Sequence, residues 1–304
     1  MKELRREILR LKEFRKAVIL SHNYQADEIQ DIADFTGDSL ELARRAASLG
    51  DSVETVVFCG VYFMAETAAI LNPSKKILIP DPLSGCPLAD MITAKELSEL
   101  KADNPGATAV CYVNSSAEVK AVSDICCTSS NAEKVVGTAA AAGGRVIFVP
   151  DRNLGDWVRR RTGADMIIWD GFCPTHDRVA ADDIAAARLK HPSAKILAHP
   201  ECRAEVLELA DEVASTSGML KIARESPDAE FIIVTESGLL WRLRKENPSK
   251  KFHSATPKLV CPNMKKNDLH KLHRVLKSMD AAVDVPEDVR VRAKKAIERM
   301  LSVK

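Results

Sequence analysis

The sequence predicts an α/β fold built from three similar units, and three observations carry that prediction. Short β-branched runs alternate with helical stretches along the whole chain, the strand ends repeat in kind, and one Cys-Pro pair recurs at a fixed interval. The opening stretch, residues 2–16, places Leu4, Ile8, Leu9 and Leu11 on one stripe and reads as an amphipathic helix. Strands are then expected at 17–21, 55–59, 76–80, 108–113, 124–128, 145–150, 166–169, 195–198, 212–214, 231–235 and 251–253. Several of these runs are apolar on both faces, as buried parallel strands are, and helical stretches separate them. Near the end, Leu269, Leu272, Val275 and Leu276 form one helical stripe, and Val291, Ala296, Ile297, Met300 and Leu301 another. Pro286 suits a first helical turn.

The strand ends fall into three sets. The first set comprises Val-Ile-Leu-Ser-His-Asn ending at Asn23, Val-Cys-Tyr-Val-Asn ending at Asn114, and Ile-Leu-Ala-His-Pro-Glu ending at Glu201. The second lies at Cys59-Gly60, Thr128-Ser129-Ser130 and Ser215-Thr216-Ser217, and the third at Ile79-Pro80-Asp81, Val149-Pro150-Asp151 and Val234-Thr235-Glu236. The second and third copies keep nearly constant spacing, whereas the first is irregular. The expected units are 1–84, 85–172 and 173–261, each a strand-helix-strand-helix-strand module, with the helices of 262–304 packing back on the first. The three units would surround a pseudo-threefold axis, and the carboxyl ends of their strands would line a common crevice.

Composition narrows the function classes. The 304 residues are 46% hydrophobic and 29% charged, an ordinary globular profile. The formal net charge is +1 and aromatics are 5%, which builds neither a phosphate-tracking surface nor stacking platforms, so nucleic acid is not an expected partner. No run approaches the roughly 18 uncharged apolar residues of a membrane helix, and the charged N-terminus is not a signal peptide. The expected location is cytoplasmic, with eight cysteines kept reduced.

Three of those cysteines are periodic: Cys86, Cys173 and Cys261, each before a proline and spaced by 87 and 88 positions. Packing does not explain such a period, and the pseudo-threefold arrangement would bring three thiolates to one point. A structural zinc site usually takes four ligands in close pairs, which this spacing does not supply. A [4Fe–4S] cluster on three thiolates would leave one iron open as a Lewis acid. Cys59, Cys111, Cys126, Cys127 and Cys202 fall in or beside strands and read as small core residues. His22, Tyr24, Tyr112, Asn114, His199 and Glu201 sit at or beyond first-set strand ends. Ser39 follows Asp38, which has capping-box spacing to Glu41, and Ser129 and Thr216 stand at further helix starts. Helix starts favour carboxylates and phosphates, so the expected ligand is a small anion. No P-loop or GxGxxG fingerprint is present.

His22-Asn23-Tyr24-Gln25, Gly37-Asp38-Ser39, Val61-Tyr62-Phe63-Met64-Ala65-Glu66, Tyr112-Val113-Asn114-Ser115, His199-Pro200-Glu201-Cys202 and Asn263-Met264-Lys265 together closely resemble the quinolinate synthase family, over nearly the whole chain. The resemblance implies a [4Fe–4S] enzyme of the de novo NAD pathway that condenses iminoaspartate (iminosuccinate) with dihydroxyacetone phosphate, losing phosphate and water. It implies Cys86, Cys173 and Cys261 as cluster ligands. Substrate contacts are implied at His22, Ser39, Tyr112, Asn114, Ser129, His176, His199, Glu201 and Thr216, and acid–base roles at Tyr24, Glu201 and His199. It also implies functional coupling to an aspartate oxidase or dehydrogenase as the source of iminoaspartate. Two rivals remain at this point: another [4Fe–4S] lyase or dehydratase, and a non-enzymatic redox or metal sensor.

Overall fold

The computed structural model describes residues 1–303. Among the described residues, twelve strands form three four-stranded sheets, each parallel throughout. In chain order they are β1 (Ala17–His22), β2 (Phe35–Gly37), β3 (Thr55–Cys59), β4 (Lys76–Leu78), β5 (Thr108–Tyr112), β6 (Ile125–Cys127), β7 (Val146–Val149), β8 (Met166–Ile168), β9 (Lys195–Ala198), β10 (Glu212–Val213), β11 (Glu230–Val234) and β12 (Lys251–Ser254). The three sheets share one order: β2-β1-β3-β4, β6-β5-β7-β8 and β10-β9-β11-β12. The central strands are buried on both faces, as their continuous apolar runs require.

The sheets also share one register. His22 pairs with Gly37, Tyr112 with Cys127 and Ala198 with Val213. One aspartate per unit fixes that register. Asp34, Asp124 and Asp211 each accept the backbone N–H of a residue 15 positions earlier, Ile19, Ala109 and Ile196, at 2.8, 2.8 and 2.7 Å. A charged acceptor makes each of these a strong bond. The register corrects the expected equivalence of the first unit in two places. Gly37-Asp38-Ser39, after β2, is the counterpart of Thr128-Ser129-Ser130 and Ser215-Thr216-Ser217. Cys59-Gly60 ends β3 and matches the ends of β7 and β11, while Ile79-Pro80-Asp81 follows the fourth, edge strand. The sequence missed β2 because Phe35-Thr36-Gly37 is too short to show a period. Each unit accordingly has four strands rather than three.

A second repeated device returns the chain from helix to strand. Asn72, Asn104, His191 and Asn247 each end a helix immediately before a proline, with φ of −131°, −130°, −134° and −133°. The following proline drives them out of the helical region. The three asparagines donate their side-chain amides to the carbonyl four residues back, at 3.1, 2.9 and 3.0 Å.

The first two units share one continuous apolar core, whereas the third has a separate cluster on each face of its sheet. The helix Leu269–Ser278 packs on the helix Lys2–Phe14 of the first unit, burying Leu269, Leu272, Val275 and Leu276. The last helix, Glu287–Ser302, instead lies mainly on the helix Ala117–Val122 and β6 of the second unit, touching the helix Tyr62–Leu71 of the first. Its buried residues Ala293, Ala296, Ile297 and Met300 extend the core that those two units share, which draws it away from the first unit alone. Among the described residues no helix is long and apolar enough to cross a membrane.

Candidate functional site

The carboxyl ends of the three sheets open onto one cavity of about 130 Å³. His22, Tyr24, Ser39, Cys86, Tyr112, Asn114, Ser129, Cys173, His176, His199, Glu201, Thr216 and Cys261 all line it. The structure therefore brings every sequence-derived candidate to a single space.

The loop after β1 turns so that the Tyr24 N–H donates to Nδ1 of His22 at 3.2 Å. That leaves the imidazole proton on Nε2. Burial lowers the His22 pKa from 6.5 to about 4, against the opposing charges of Asp38 and Glu201. His22 is thus a neutral donor at neutral pH. His199 has the matching loop in the third unit, and its Nδ1 lies 3.3 Å from both the N–H and Oε2 of Glu201. Burial lowers its pKa too, partly offset by Glu201.

Glu201 is 2% exposed and fully engaged. Oε1 accepts the Tyr112 hydroxyl at 2.9 Å and the Asn114 amide at 3.3 Å, and Oε2 lies 2.9 Å from His176 Nδ1. Burial alone would raise its pKa. The His176 and His199 imidazoles outweigh that and hold the carboxyl below the usual carboxylate range. Asp151 behaves oppositely: burial, then the Glu201 charge, pushes it well above the ordinary value. Of these two buried carboxyls, then, Glu201 is the one its surroundings hold ionised, whereas burial and the Glu201 charge disfavour ionisation of Asp151.

A chain of short contacts leads away from Glu201. His176 Nε2 lies 2.9 Å from Thr235 Oγ1, and Thr235 Oγ1 lies 2.6 Å from the Tyr24 hydroxyl. One consistent orientation runs from the Tyr24 O–H to Thr235, from the Thr235 O–H to His176 Nε2, and from His176 Nδ1–H to Glu201. His176 stacks on His199 with centroids 4.9 Å apart, which fixes its ring plane.

Opposite this chain, two helix starts and the turn before a third converge, one from each unit. Asp38 caps the helix Ser39–Ala47, Oδ1 accepting the Glu41 N–H at 2.8 Å while Glu41 returns the bond at 2.9 Å. Its Oδ2 accepts hydroxyls from the other two units, Ser130 at 2.6 Å and Ser217 at 2.5 Å. Ser215 caps the helix Thr216–Glu225, and the Asn23 amide donates to Thr216 Oγ1 at 2.9 Å. Ser39 and Thr216 are the first residues of their helices, where N–H groups and dipole ends favour an anion, and Ser129 lies in the turn two residues before Asn131, the N-cap of the helix Ala132–Ala141.

Cys86, Cys173 and Cys261 are half-buried, while the other five cysteines are buried in the core. Burial pushes the Cys86 thiol up to about 12, and Cys261 adds to the shift. Cys173 is raised by burial, then by Glu201 and by Cys86. Cys86 therefore feels both other thiols, burial disfavours the thiolate at each of the three, and a bound cationic centre would offset that. Among the described residues, Cys173, His176 and Glu201 bring their ligand atoms within 4.8 Å of one another, but the three Cys-Pro thiols do not form such a group.

Several residues that shape the site were absent from the sequence-derived set. Glu236, fully buried, accepts the Cys261 N–H at 3.1 Å, and its other oxygen takes Lys265 Nζ at 3.1 Å. Lys265 also donates to the Tyr24 carbonyl at 2.6 Å, tying the cysteine loop of the third unit to the tyrosine loop of the first. Thr235, Glu236 and Asp151 were visible only as strand ends. Arg178, exposed at the cavity wall, is the one Arg or Lys among the lining residues.

The family model described as quinolinate synthetase A protein matches residues 6–302. Quinolinate synthase of Geobacter metallireducens is 52% identical over 300 residues, 99% of this chain and 97% of its own. That of Dehalococcoides mccartyi is 54% identical over 297 residues, 98% of this chain and 97% of its own. That of Methanoregula boonei is 53% identical over 301 residues, 99% of this chain and 98% of its own. Full-length identity of this order, on a site to which all three units contribute, places the chain in the quinolinate synthetase A family of enzymes.

Proposed function

We propose that the chain is a quinolinate synthase of NAD biosynthesis, condensing iminoaspartate with dihydroxyacetone phosphate to give quinolinate, phosphate and water. The observation that carries this reading is the meeting of three thiols, one ionised carboxylate with a hydrogen-bonded relay, and two helix starts with the turn before a third in one cavity. The donor set fits a [4Fe–4S] cluster, with Cys86, Cys173 and Cys261 as its ligands. When bound, the cluster supplies an electrophilic iron with no cysteine, which assists the departure of a hydroxyl group.

The chain's own residues bind and move protons. Ser39 and Thr216 at the helix starts, with Ser129 in the turn before a third, hold substrate carboxylate or phosphate oxygens. His22 donates from Nε2 without carrying a charge, and Arg178 at the wall supplies positive charge to incoming anions. Asn114 Oδ1 is buried without a partner, which leaves it free to accept an N–H or O–H of the substrate. Glu201, ionised, accepts a proton from substrate carbon or nitrogen, and His199 supports it. The Tyr24–Thr235–His176 chain then passes protons between Glu201 and the other side of the cavity.

The test is an anaerobic incubation of reconstituted protein with iminoaspartate and dihydroxyacetone phosphate. Quinolinate and phosphate in equal amounts support the reading; neither product from cluster-loaded protein overturns it.

A further inference from the structure

The third unit holds a cluster of side chains that the cavity does not use. The third unit keeps the asparagine at Asn247, the counterpart of Asn72 in the first unit, but in the turn before its first strand, where the second unit places Asn104, it has His191. An imidazole does not repeat the amide's bond to its own helix. Instead His191 Nδ1 lies 3.4 Å from Glu230 Oε1, at the first residue of β11. From the adjacent edge strand β12, His253 Nε2 lies 2.8 Å from the same oxygen. Ser193 Oγ donates to the other oxygen, Oε2, at 3.2 Å. The ligand atoms of the three residues all lie within 4.8 Å of one another.

Strand register shows that the repeated fold does not need this cluster. The matching positions of the second unit are Asn104, Arg145 and Ile167, which share none of its chemistry. Each of the three residues is about a quarter exposed, with side-chain accessibilities of 29%, 24% and 29%, so water can reach the group. Glu230 opens β11, at the end of the sheet away from the cavity, and His253 is the third residue of β12, beside Ile232.

Two imidazoles and one carboxylate, fixed by a helix end and two strands and open to water, form the donor set of a mononuclear transition-metal site. We propose that His191, Glu230 and His253 bind one divalent transition-metal ion of the zinc class. The two rings stand 3.6 Å apart at 15°. An ion in the plane of both requires them to hinge apart, and their partial exposure leaves room for it. Bound there, the ion ties edge strand β12 and the turn at His191 to β11, and Ser193 orients the ligating carboxylate.

The experiment is equilibrium dialysis of anaerobic, cluster-loaded full-length protein against micromolar zinc chloride, with metal counted by mass spectrometry. The wild type is expected to retain one zinc per chain more than His191→Ala/His253→Ala, and to melt at a higher temperature with zinc only when the three residues are intact. A variant with Cys86, Cys173 and Cys261 all changed to Ala is expected to keep that zinc. Glu230→Gln, which preserves shape, is expected to weaken zinc at least tenfold even if the double variant folds poorly. Equal zinc in wild type and Glu230→Gln, or loss of the zinc with the three cysteines, overturns the proposal.

Discussion

Oγ1 of Thr235 lies 2.9 Å from Nε2 of His176, and through it the Tyr24 hydroxyl at 2.6 Å is joined to the Glu201 carboxylate. The Tyr24 and His176 ring centroids stand 6.1 Å apart, and the threonine oxygen is the atom that bridges their polar ends. Thr235→Val, which keeps the shape, is expected to lower kcat about 10²-fold with iron content unchanged. Thr235→Ser is expected to keep most of the turnover. Steady-state quinolinate formation separates the two.

Glu201 is the carboxylate that the surrounding donors keep ionised. Glu201→Gln keeps the volume and removes the base, so turnover is expected to fall by about 10² to 10⁴. Full turnover in this variant would remove Glu201 from proton transfer.

Acid should destabilise the fold through its buried histidines. The folded His22 pKa, about 4, lies below the unfolded 6.5, so the unfolded chain binds more protons between those values. Stability is therefore present above pH 6.5 and is lost as pH falls toward 4, by about 3 kcal/mol for this residue. His199 contributes in the same direction. Urea midpoints across that pH range should fall more steeply for wild type than for His22→Gln.

Asp38 joins the three units as well as capping a helix. Asp38→Ala removes the cap and leaves two serine hydroxyls without their acceptor, an expected loss of about 3 kcal/mol by chemical denaturation. Ser217→Ala removes one of those bonds and should cost about 1 kcal/mol.

Gly238 lets the third unit approach the tyrosine loop. A Cβ there would stand 2.7 Å from the Tyr24 carbonyl carbon and 2.8 Å from the Gln25 oxygen, both backbone atoms. Gly238→Ala must therefore displace the loop carrying Tyr24, and turnover and thermal stability are expected to fall together.

Much of this was legible in the sequence because it is carried by local pattern. The long apolar strands β3, β7 and β11 announce themselves, and Cys86, Cys173 and Cys261 declare the repeat. What escaped was what local pattern does not encode. Phe35–Gly37 becomes a strand only because β1 templates it and Asp34 pins its register. The first unit was misaligned for that reason. The placement of Glu287–Ser302 depends on which core needs covering rather than on its own stripe. Thr235, Glu236 and Lys265 matter through partners far away in sequence: Lys265 reaches Tyr24 across 241 residues. Spacing along one chain carries no trace of such contacts.

The central claim is that three cysteines, one from each repeated unit, hold one iron–sulfur centre in the shared cavity. Iron, acid-labile sulfide and the visible spectrum of anaerobically prepared protein test it most directly, compared across Cys86→Ala, Cys173→Ala, Cys261→Ala and a Cys126→Ala control. About four irons and four sulfides per chain in wild type and the control, lost in each of the other three, is the predicted result. An intact cluster in any one of those three, or zinc alone after anaerobic reconstitution, would contradict it.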